Sequence, residues 1–314
     1  MIALDAIESA RERIADTAVR TPLVRLNVDA PAEIWLKLEN LQPIGSFKIR
    51  GAANAVRTAD PAQLEAGLVT ASAGNMAQGV AWMARELGVP ATIVVPEHAP
   101  QTKLEAAERL GGTVMRVPYT TWWRAIEESR AEGVEGLFIH PVEDERVMEG
   151  NGTVALEILE DLPEPDAVLV PFGGGGLVTG IASALAALSP ETRVYAVEPE
   201  TGAALNAALA EGAPTEIDYR PSFVDGSGSR TVLPSMWPRV RDLIAGAFTA
   251  SVEETAAAVR LLAERTRIVA EGAGALAPAA ALAGRAGEGR IVCVVSGGNI
   301  DASTLAPILV GETP

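Results

Sequence analysis

This 314-residue sequence predicts an α/β fold built from two open, parallel-stranded sheets covered by helices. Three observations carry that expectation. Short apolar runs alternate with helix-length segments from end to end, glycine-rich turns follow two of the runs, and a lysine sits where another extended segment gives way to a helix. The apolar runs predict strands over residues 34–38, 68–71, 91–95, 113–117, 137–139, 167–171, 193–198 and 291–295. Segments of helical length lie between them at 77–87, 103–110, 122–132, 177–188 and 253–265. Ser251 and Glu254 open the last of these with the spacing of a capping box. So many strands would suit one barrel or two open sheets, and the unequal spacing of the lysine and the glycine turns favours the open sheets. No internal repeat, low-complexity tract or long linker marks a boundary, so composition alone does not divide the chain.

The totals set limits on partners. Hydrophobic residues make up 48% and charged residues 21%, a globular balance with enough apolar chain for two cores. A net charge of −16, spread along the chain, disfavours nucleic acid or an anionic membrane surface as a partner. The single cysteine, Cys293, allows no internal disulfide and suits a reducing, cytoplasmic compartment. It lies in an apolar run, so a buried thiol is expected. No basic-then-apolar N-terminal stretch is apparent, and no apolar run approaches about 18 residues, so neither a signal peptide nor a membrane span is expected.

Four segments carry chemistry. The first is Ser46-Phe47-Lys48, in a chain with only three lysines, Lys37, Lys48 and Lys103. A lysine amine titrates near 10.4 when unperturbed and is a poor nucleophile while protonated, as a model-peptide reference. Burial beneath an aromatic ring at a helix start disfavours the ammonium twice over and frees the amine to attack an aldehyde carbon. The plainer alternative is an exposed helix lysine. The second segment, Phe172-Gly173-Gly174-Gly175-Gly176-Leu177, follows a predicted strand and opens a predicted helix. Successive glycines let the backbone turn its N–H groups toward one point, and a helix start adds unpaired donors, together a seat for phosphate. The spacing fits neither GxGxxG nor a Gly-Lys-Ser/Thr ending, so a small monophosphate is the expected ligand. A plain strand–helix turn is the alternative.

The third segment is Ser72-Ala73-Gly74-Asn75-Met76, also between strand and helix. Its hydroxyl, amide and backbone N–H groups suit a carboxylate or a phenolic oxygen, with simple N-capping by Ser72 or Asn75 as the alternative. The fourth is Ser296-Gly297-Gly298-Asn299, at the end of the last apolar strand, where open α/β sheets bind their ligands.

Together the four segments resemble the fold-type II pyridoxal-phosphate enzymes, most closely the threonine/serine dehydratases. The likeness runs through nearly the whole chain and includes Val147-Met148-Glu149-Gly150-Asn151-Gly152-Thr153 and Glu271-Gly272-Ala273-Gly274-Ala275. The resemblance implies a tryptophan synthase beta-like architecture, with residues 1–46 and 146–314 as the large domain and 47–145 as a small inserted one. The cofactor, pyridoxal 5'-phosphate, is then expected in the cleft between them. Lys48 would hold it as an internal aldimine, Phe47 would pack against its ring, and Asn75 would hydrogen-bond its phenolic oxygen. Gly173, Gly174, Gly175 and Gly176, with Leu177, would cradle the phosphate, and Ser296 would face the pyridine nitrogen. Ser72, Ala73, Gly74 and Asn75 would line the pocket for the substrate carboxylate. A serine opposite the pyridine nitrogen does not enforce a pyridinium, so elimination is favoured over transamination. The resemblance therefore implies ammonia-lyase chemistry on a β-hydroxy α-amino acid, L-threonine or L-serine by default, in a homodimer or homotetramer.

The sequence also departs from that pattern. Met76 stands where these dehydratases usually have histidine, and methionine neither donates to a carboxylate nor passes a proton. Ala73 stands where related serine racemases have a serine acid/base, so racemisation should be poor. Tyr119, Trp122 and Trp123 form an aromatic cluster of the kind that is mostly core or interface; facing the substrate instead, it would suit a bulky one such as a phenylserine, and 3-hydroxyaspartate is a further alternative substrate. Some relatives bind a mono- or divalent cation at a glutamate corresponding to Glu198, but Ala204 stands where an acidic partner would be wanted. His98 and His140 lack ligand spacing and are expected to be structural or exposed. No regulatory domain is expected after Pro314. A β-replacement enzyme and a non-catalytic sensor of phosphorylated ligands are the remaining alternatives.

Overall fold

The computed structural model describes residues 1–99 and 101–314, with the backbone alone for 101–103. Ten strands form two sheets: Leu23–Arg25 (β1), Ala32–Lys37 (β2), Leu68–Ala71 (β3), Ala91–Pro96 (β4), Thr113–Val117 (β5), Leu137–Phe138 (β6), Ala167–Pro171 (β7), Arg193–Pro199 (β8), Gly246–Ala250 (β9) and Gly289–Val294 (β10). The larger sheet has the order β1-β2-β10-β7-β8-β9 and is parallel except at β1. The smaller, β5-β4-β3-β6, is parallel throughout. The central strands β7 and β10 are apolar over long runs because helices cover both faces. The register sets Ile291 of β10 opposite Ile34 of β2 and Ala167 of β7.

Alternation along the strands then sorts the core. In the larger sheet Val168, Val170, Val292 and Val294 pack on one face, while Ile34, Leu36, Leu169, Ile291 and Cys293 pack on the other. The smaller sheet divides the same way, with Leu68 and Ile93 on one face and Val69, Ala71 and Val94 on the other. Cys293 is a buried free thiol, and burial pushes its pKa up.

Each of the eight expected strands is found, three with the expected ends (68–71, 113–117 and 167–171) and the others with ends shifted by a residue or two. The sequence reading missed β1 and β9, which are edge strands with half-exposed faces and so lack a continuous apolar run. The helix Tyr119–Glu127 begins and ends earlier than expected. The capping box is present: Ser251 Oγ accepts from Glu254 N at 3.0 Å, and Glu254 Oε2 accepts from Ser251 N at 2.8 Å. The alanine-rich helix Gly272–Leu282 went unread because it is buried on nearly every side and shows no apolar stripe. No helix among the described residues is long and apolar enough to cross a membrane.

A sealed ion cluster joins the two halves of the fold beside the helix Lys48–Arg57. Arg50 donates to Glu39 Oε2 at 2.7 Å and Oε1 at 2.8 Å, and to Glu157 Oε1 at 2.7 Å and Oε2 at 2.9 Å. Lys37 of β2 also donates to Glu157, while Thr21 and Gln42 complete the shell of Glu39. The guanidinium fork matches two carboxylates at once, which anchors the helix from both sides.

Candidate active site

Four strands, β3, β6, β7 and β10, end toward one region, and each carboxyl end carries residues of the site. Lys48 is the first residue of its helix. Phe47 N donates to Ser296 O at 3.0 Å, and Ser46 bridges to Gly297, so the lysine is tied to the end of β10. Lys48 Nζ donates to Pro141 O at 2.9 Å and lies 5.2 Å from the centroid of the Phe47 ring. Burial lowers the pKa of this amine to about 8, against the upward pull of the Glu271 carboxylate. Of the other two lysines, Lys37 is locked in the ion cluster, and the side chain of Lys103 lies outside the described residues.

The glycine bend lies beside this amine. Gly175 adopts φ 99° and caps the helix Gly176–Leu188, so the bend ends in free helical N–H groups. A Cβ on Gly174 would come within 2.3 Å of the Val142 side chain, and one on Gly176 would stand 3.0 Å from Val142 O. At Gly173 the nearest atoms, in Gly226 and Ser227, would be 3.5 Å away. Leu177 is buried just inside the helix. Val142 follows Pro141, so one dipeptide touches both the lysine and the bend.

Asn75 opens the helix Asn75–Leu87, whose cap is Gly74 without a side-chain bond, so neither Ser72 nor Asn75 acts as a simple N-cap. Ser72 Oγ accepts from Gly74 N at 3.3 Å. Asn75 Nδ2 donates to Glu271 Oε1 at 2.8 Å, and Asn75 Oδ1 accepts from Asn299 Nδ2 at 2.8 Å. These partners fix the amide and leave its second N–H for a ligand oxygen. Glu271 N donates to Gly297 O at 3.0 Å, and a Cβ on Gly297 would lie 2.3 Å from Glu271 Oε1. Ser296 is buried at the end of β10. Lys48, the glycine bend, the Ser72–Asn75 turn and Ser296 are therefore brought together.

Other expectations fare differently. Met76 is buried in the core of the smaller sheet, and Ala73 packs against the same core. The Trp122 ring is tilted against those of Tyr119 and Trp123, with centroids 5.5 Å and 6.1 Å away, and packs on the other face of that sheet, with Val69, Ala71 and Val94. Glu198 is buried; Leu205 N and Asn206 N each donate to its carboxylate at 2.9 Å, and Asn206 Nδ2 donates at 2.8 Å. Burial pushes its pKa up to about 7 although these donors pull it down. The carboxylate thus holds the start of the helix Ala204–Glu211, where a cation ligand was expected. No group of three His, Cys, Asp or Glu side chains able to hold a metal occurs among the described residues. His98 is exposed, but His140 is buried beside Pro141 and belongs to the site region, which the sequence reading missed. Its position just beyond the carboxyl end of a strand was the available signal. Glu271 and Asn299 were missed as side chains with a role, although both fall in segments already singled out.

An amine of lowered pKa next to a bend that presents N–H groups suits a phosphorylated aldehyde, and each residue needed for one is present. The chain belongs to the family of pyridoxal-phosphate dependent enzymes, whose model matches residues 14–297. It is 37% identical over 319 residues to an L-threonine ammonia-lyase of Thermotoga maritima, covering 98% of this chain and 78% of that one. Among solved structures it resembles maize serine racemase, with a TM-score of 0.89 and 33% identity over 98% of this chain and 97% of that one. It also resembles the processed form of threonine deaminase isoform 2 from Solanum lycopersicum, with a TM-score of 0.87 and 30% identity over 97% and 86% of the two chains.

The lowered amine has a measurable consequence. Uptake of pyridoxal phosphate by the apoprotein should accelerate as pH rises through about 8, because only the free base attacks the aldehyde. Stopped-flow absorbance measures that rate; an increase centred near pH 10.4, the ordinary value for lysine, would contradict the assignment.

Proposed function

We propose that this protein is an ammonia-lyase that uses pyridoxal phosphate to remove water from a β-hydroxy α-amino acid, L-threonine or L-serine, giving a 2-oxo acid and ammonia. The observation that carries the reading is the Pro141-Val142 dipeptide, which joins the Lys48 amine to the glycine bend. Relatives named as threonine ammonia-lyase and threonine deaminase support it.

When bound, the cofactor supplies an electron sink at the substrate's α-carbon. The chain supplies the rest. Lys48 Nζ would hold the cofactor at its aldehyde carbon, and the freed amine would serve as the base for the α-proton. Its pKa of about 8 keeps a useful share of free base near neutral pH. Gly173, Gly174, Gly175 and Gly176, with Leu177, seat the phosphate on N–H groups at a helix start. Phe47 would pack against the ring, Asn75 would turn its second N–H to the phenolic oxygen, and Ser296 would present a neutral hydroxyl to the pyridine nitrogen. Ser72, Ala73, Gly74 and Asn75 take the substrate carboxylate. The β-hydroxyl would leave as water, taking its proton from the phosphate or a group beside it. The released aminoacrylate adds water and loses ammonia, which closes the balance to 2-oxo acid.

The reading divides the chain into 1–46 with 146–314 and an inserted 47–145, with the cofactor in the cleft. It also takes the protein to be a cytoplasmic homodimer or homotetramer. Glu198 serves as a helix anchor in this reading, and incubation with a chelator should leave turnover unchanged.

A panel of hydroxy amino acids scored for 2-oxo acid and for enantiomer interconversion tests the function. Threonine and serine should give 2-oxo acid, sulfide should not divert it, and racemisation of serine should be slow because Ala73 carries no proton. Faster turnover of phenylserine or 3-hydroxyaspartate would reassign the substrate. Interconversion of serine enantiomers faster than elimination would reassign the reaction.

A further inference from the structure

We infer that His140 is a positioning residue of this site: its Nδ1 sets the turn that brings the Pro141 carbonyl to Lys48 and the Val142 side chain onto Gly174. The inference deepens the cofactor reading and rests on it.

The segment begins where β6 ends. Ile139 N donates to Val69 O at 2.7 Å, and Thr70 Oγ1 donates to Ile139 O at 2.9 Å, so the strand end is held against β3. His140 follows with its ring buried near that of Phe138. Its Nδ1 accepts from Val142 N at 3.0 Å and from Glu143 N at 2.7 Å. This is the pattern by which an asparagine or aspartate side chain closes an Asx turn onto N–H groups further along the chain. Asp144 pins the far end, accepting from Arg146 N at 3.0 Å as the cap of the helix Glu145–Asp161. Between the two pins, Pro141 and Val142 have little freedom, since proline fixes its own φ.

The acceptor role also fixes the proton. Two N–H groups aimed at Nδ1 leave no room for a proton there, so the neutral ring carries its hydrogen on Nε2. The surroundings agree. Burial lowers the pKa of the ring and the Lys48 charge adds to that, against the pull of Glu143, a hydrogen bond to the Ile126 backbone and Asp144. Glu143 Oε2 lies 3.8 Å from Nε2, on the side of the ring away from the two N–H groups. The working atom is therefore Nδ1, and its two bonds shape the dipeptide shared by the amine and the bend.

The test compares His140→Asn, His140→Leu and His140→Gln in the full-length protein. Asparagine places an oxygen where Nδ1 stood; glutamine places its polar atoms one bond further out; leucine fills volume without an acceptor. Pyridoxal phosphate binding to each apoprotein is titrated by the visible band of lysine-bound cofactor, and the melting temperature of each apoprotein is measured beside it. The Leu and Gln variants should bind the cofactor about tenfold or more weakly, as expected when buried N–H groups lose their acceptor, while Asn restores affinity to within about threefold of wild type. Should the Leu variant fail to fold, the Asn and Gln pair decides alone. Equal affinity for Asn and Gln, or wild-type affinity in Leu, overturns the inference. A wild-type protein that never develops the band overturns the cofactor reading and this inference with it.

Discussion

Lys48→Ala should abolish 2-oxo acid release, with turnover falling by about a thousandfold or more. In the proposed mechanism one residue supplies both the nitrogen that holds the cofactor and the base that takes the α-proton, and general-base catalysis alone typically contributes about 10²–10⁴-fold. Lys48→Arg sharpens the result. Arginine keeps a cation that can donate to Pro141 O, but its guanidinium stays protonated and cannot attack an aldehyde. Both variants should therefore lose the visible band of lysine-bound cofactor, while their apoproteins melt near the wild-type temperature. A Lys48→Arg protein that keeps the band and turns over threonine would show that Lys48 is not the reacting amine. Lys37 is no substitute in these variants, because it is enclosed with Glu157 in the buried cluster.

Arg50→Met should be the most destabilising single substitution in this region. It leaves Glu39 and Glu157 buried with Lys37 as the one remaining cation of the cluster. Breaking a buried pair by removing one partner typically costs about 3–5 kcal/mol. That is a large part of a total stability of about 5–15 kcal/mol, so a sharply lowered melting temperature or loss of soluble protein is expected. The pH dependence carries the signature. Burial raises the pKa of Glu39, but the Arg50 charge and its hydrogen bonds outweigh that and hold the carboxyl below its usual range. A carboxyl lowered in the folded state adds stability above its unfolded pKa of 4.5, and that contribution is lost as pH falls through the folded value. Wild type and Arg50→Met should therefore differ most near neutral pH and converge in acid. A constant gap across the titration would place the effect in packing instead of charge. Because Arg50 is two residues from Lys48 on the same helix, partial damage should also weaken cofactor binding in whatever protein folds.

The sequence carried much of this architecture because its signals are local. Parallel strands buried on both faces must be apolar throughout, and β7 and β10 stand out in the chain for that reason. The glycine bend is equally plain, since consecutive glycines at a strand–helix junction have few uses besides close backbone approach. Where the local signal weakened, so did the reading. The strands β1 and β9 are short or half exposed, and the helix Gly272–Leu282 is apolar all round. Trp122 shows a choice the local sequence leaves open: three aromatics close together suit a core or interface first and a substrate surface second, and Trp122 packs on the far face of the smaller sheet. Glu198 reads in the sequence as either a strand-end carboxylate or a cation ligand; at the end of β8 it faces the start of a helix whose N–H groups bond to its oxygens.

The amino-acid sequence by itself determined which groups exist at the strand ends: an amine at a helix start, a run of glycines, a hydroxyl and amide turn, and a serine closing the last strand. Strand and helix periods place such groups reliably, because side-chain direction repeats over two or about 3.6 residues whatever surrounds it. Only the tertiary structure decided how they meet. The Pro141-Val142 dipeptide links Lys48 to the bend, Glu271 and Asn299 orient Asn75, and Arg50 braces the reactive helix between Glu39 and Glu157. Each of these joins segments distant in sequence through contacts a few ångströms long. The local chain carries no period or composition that specifies such a partner, and the partners become fixed only when two sheets and their helices pack.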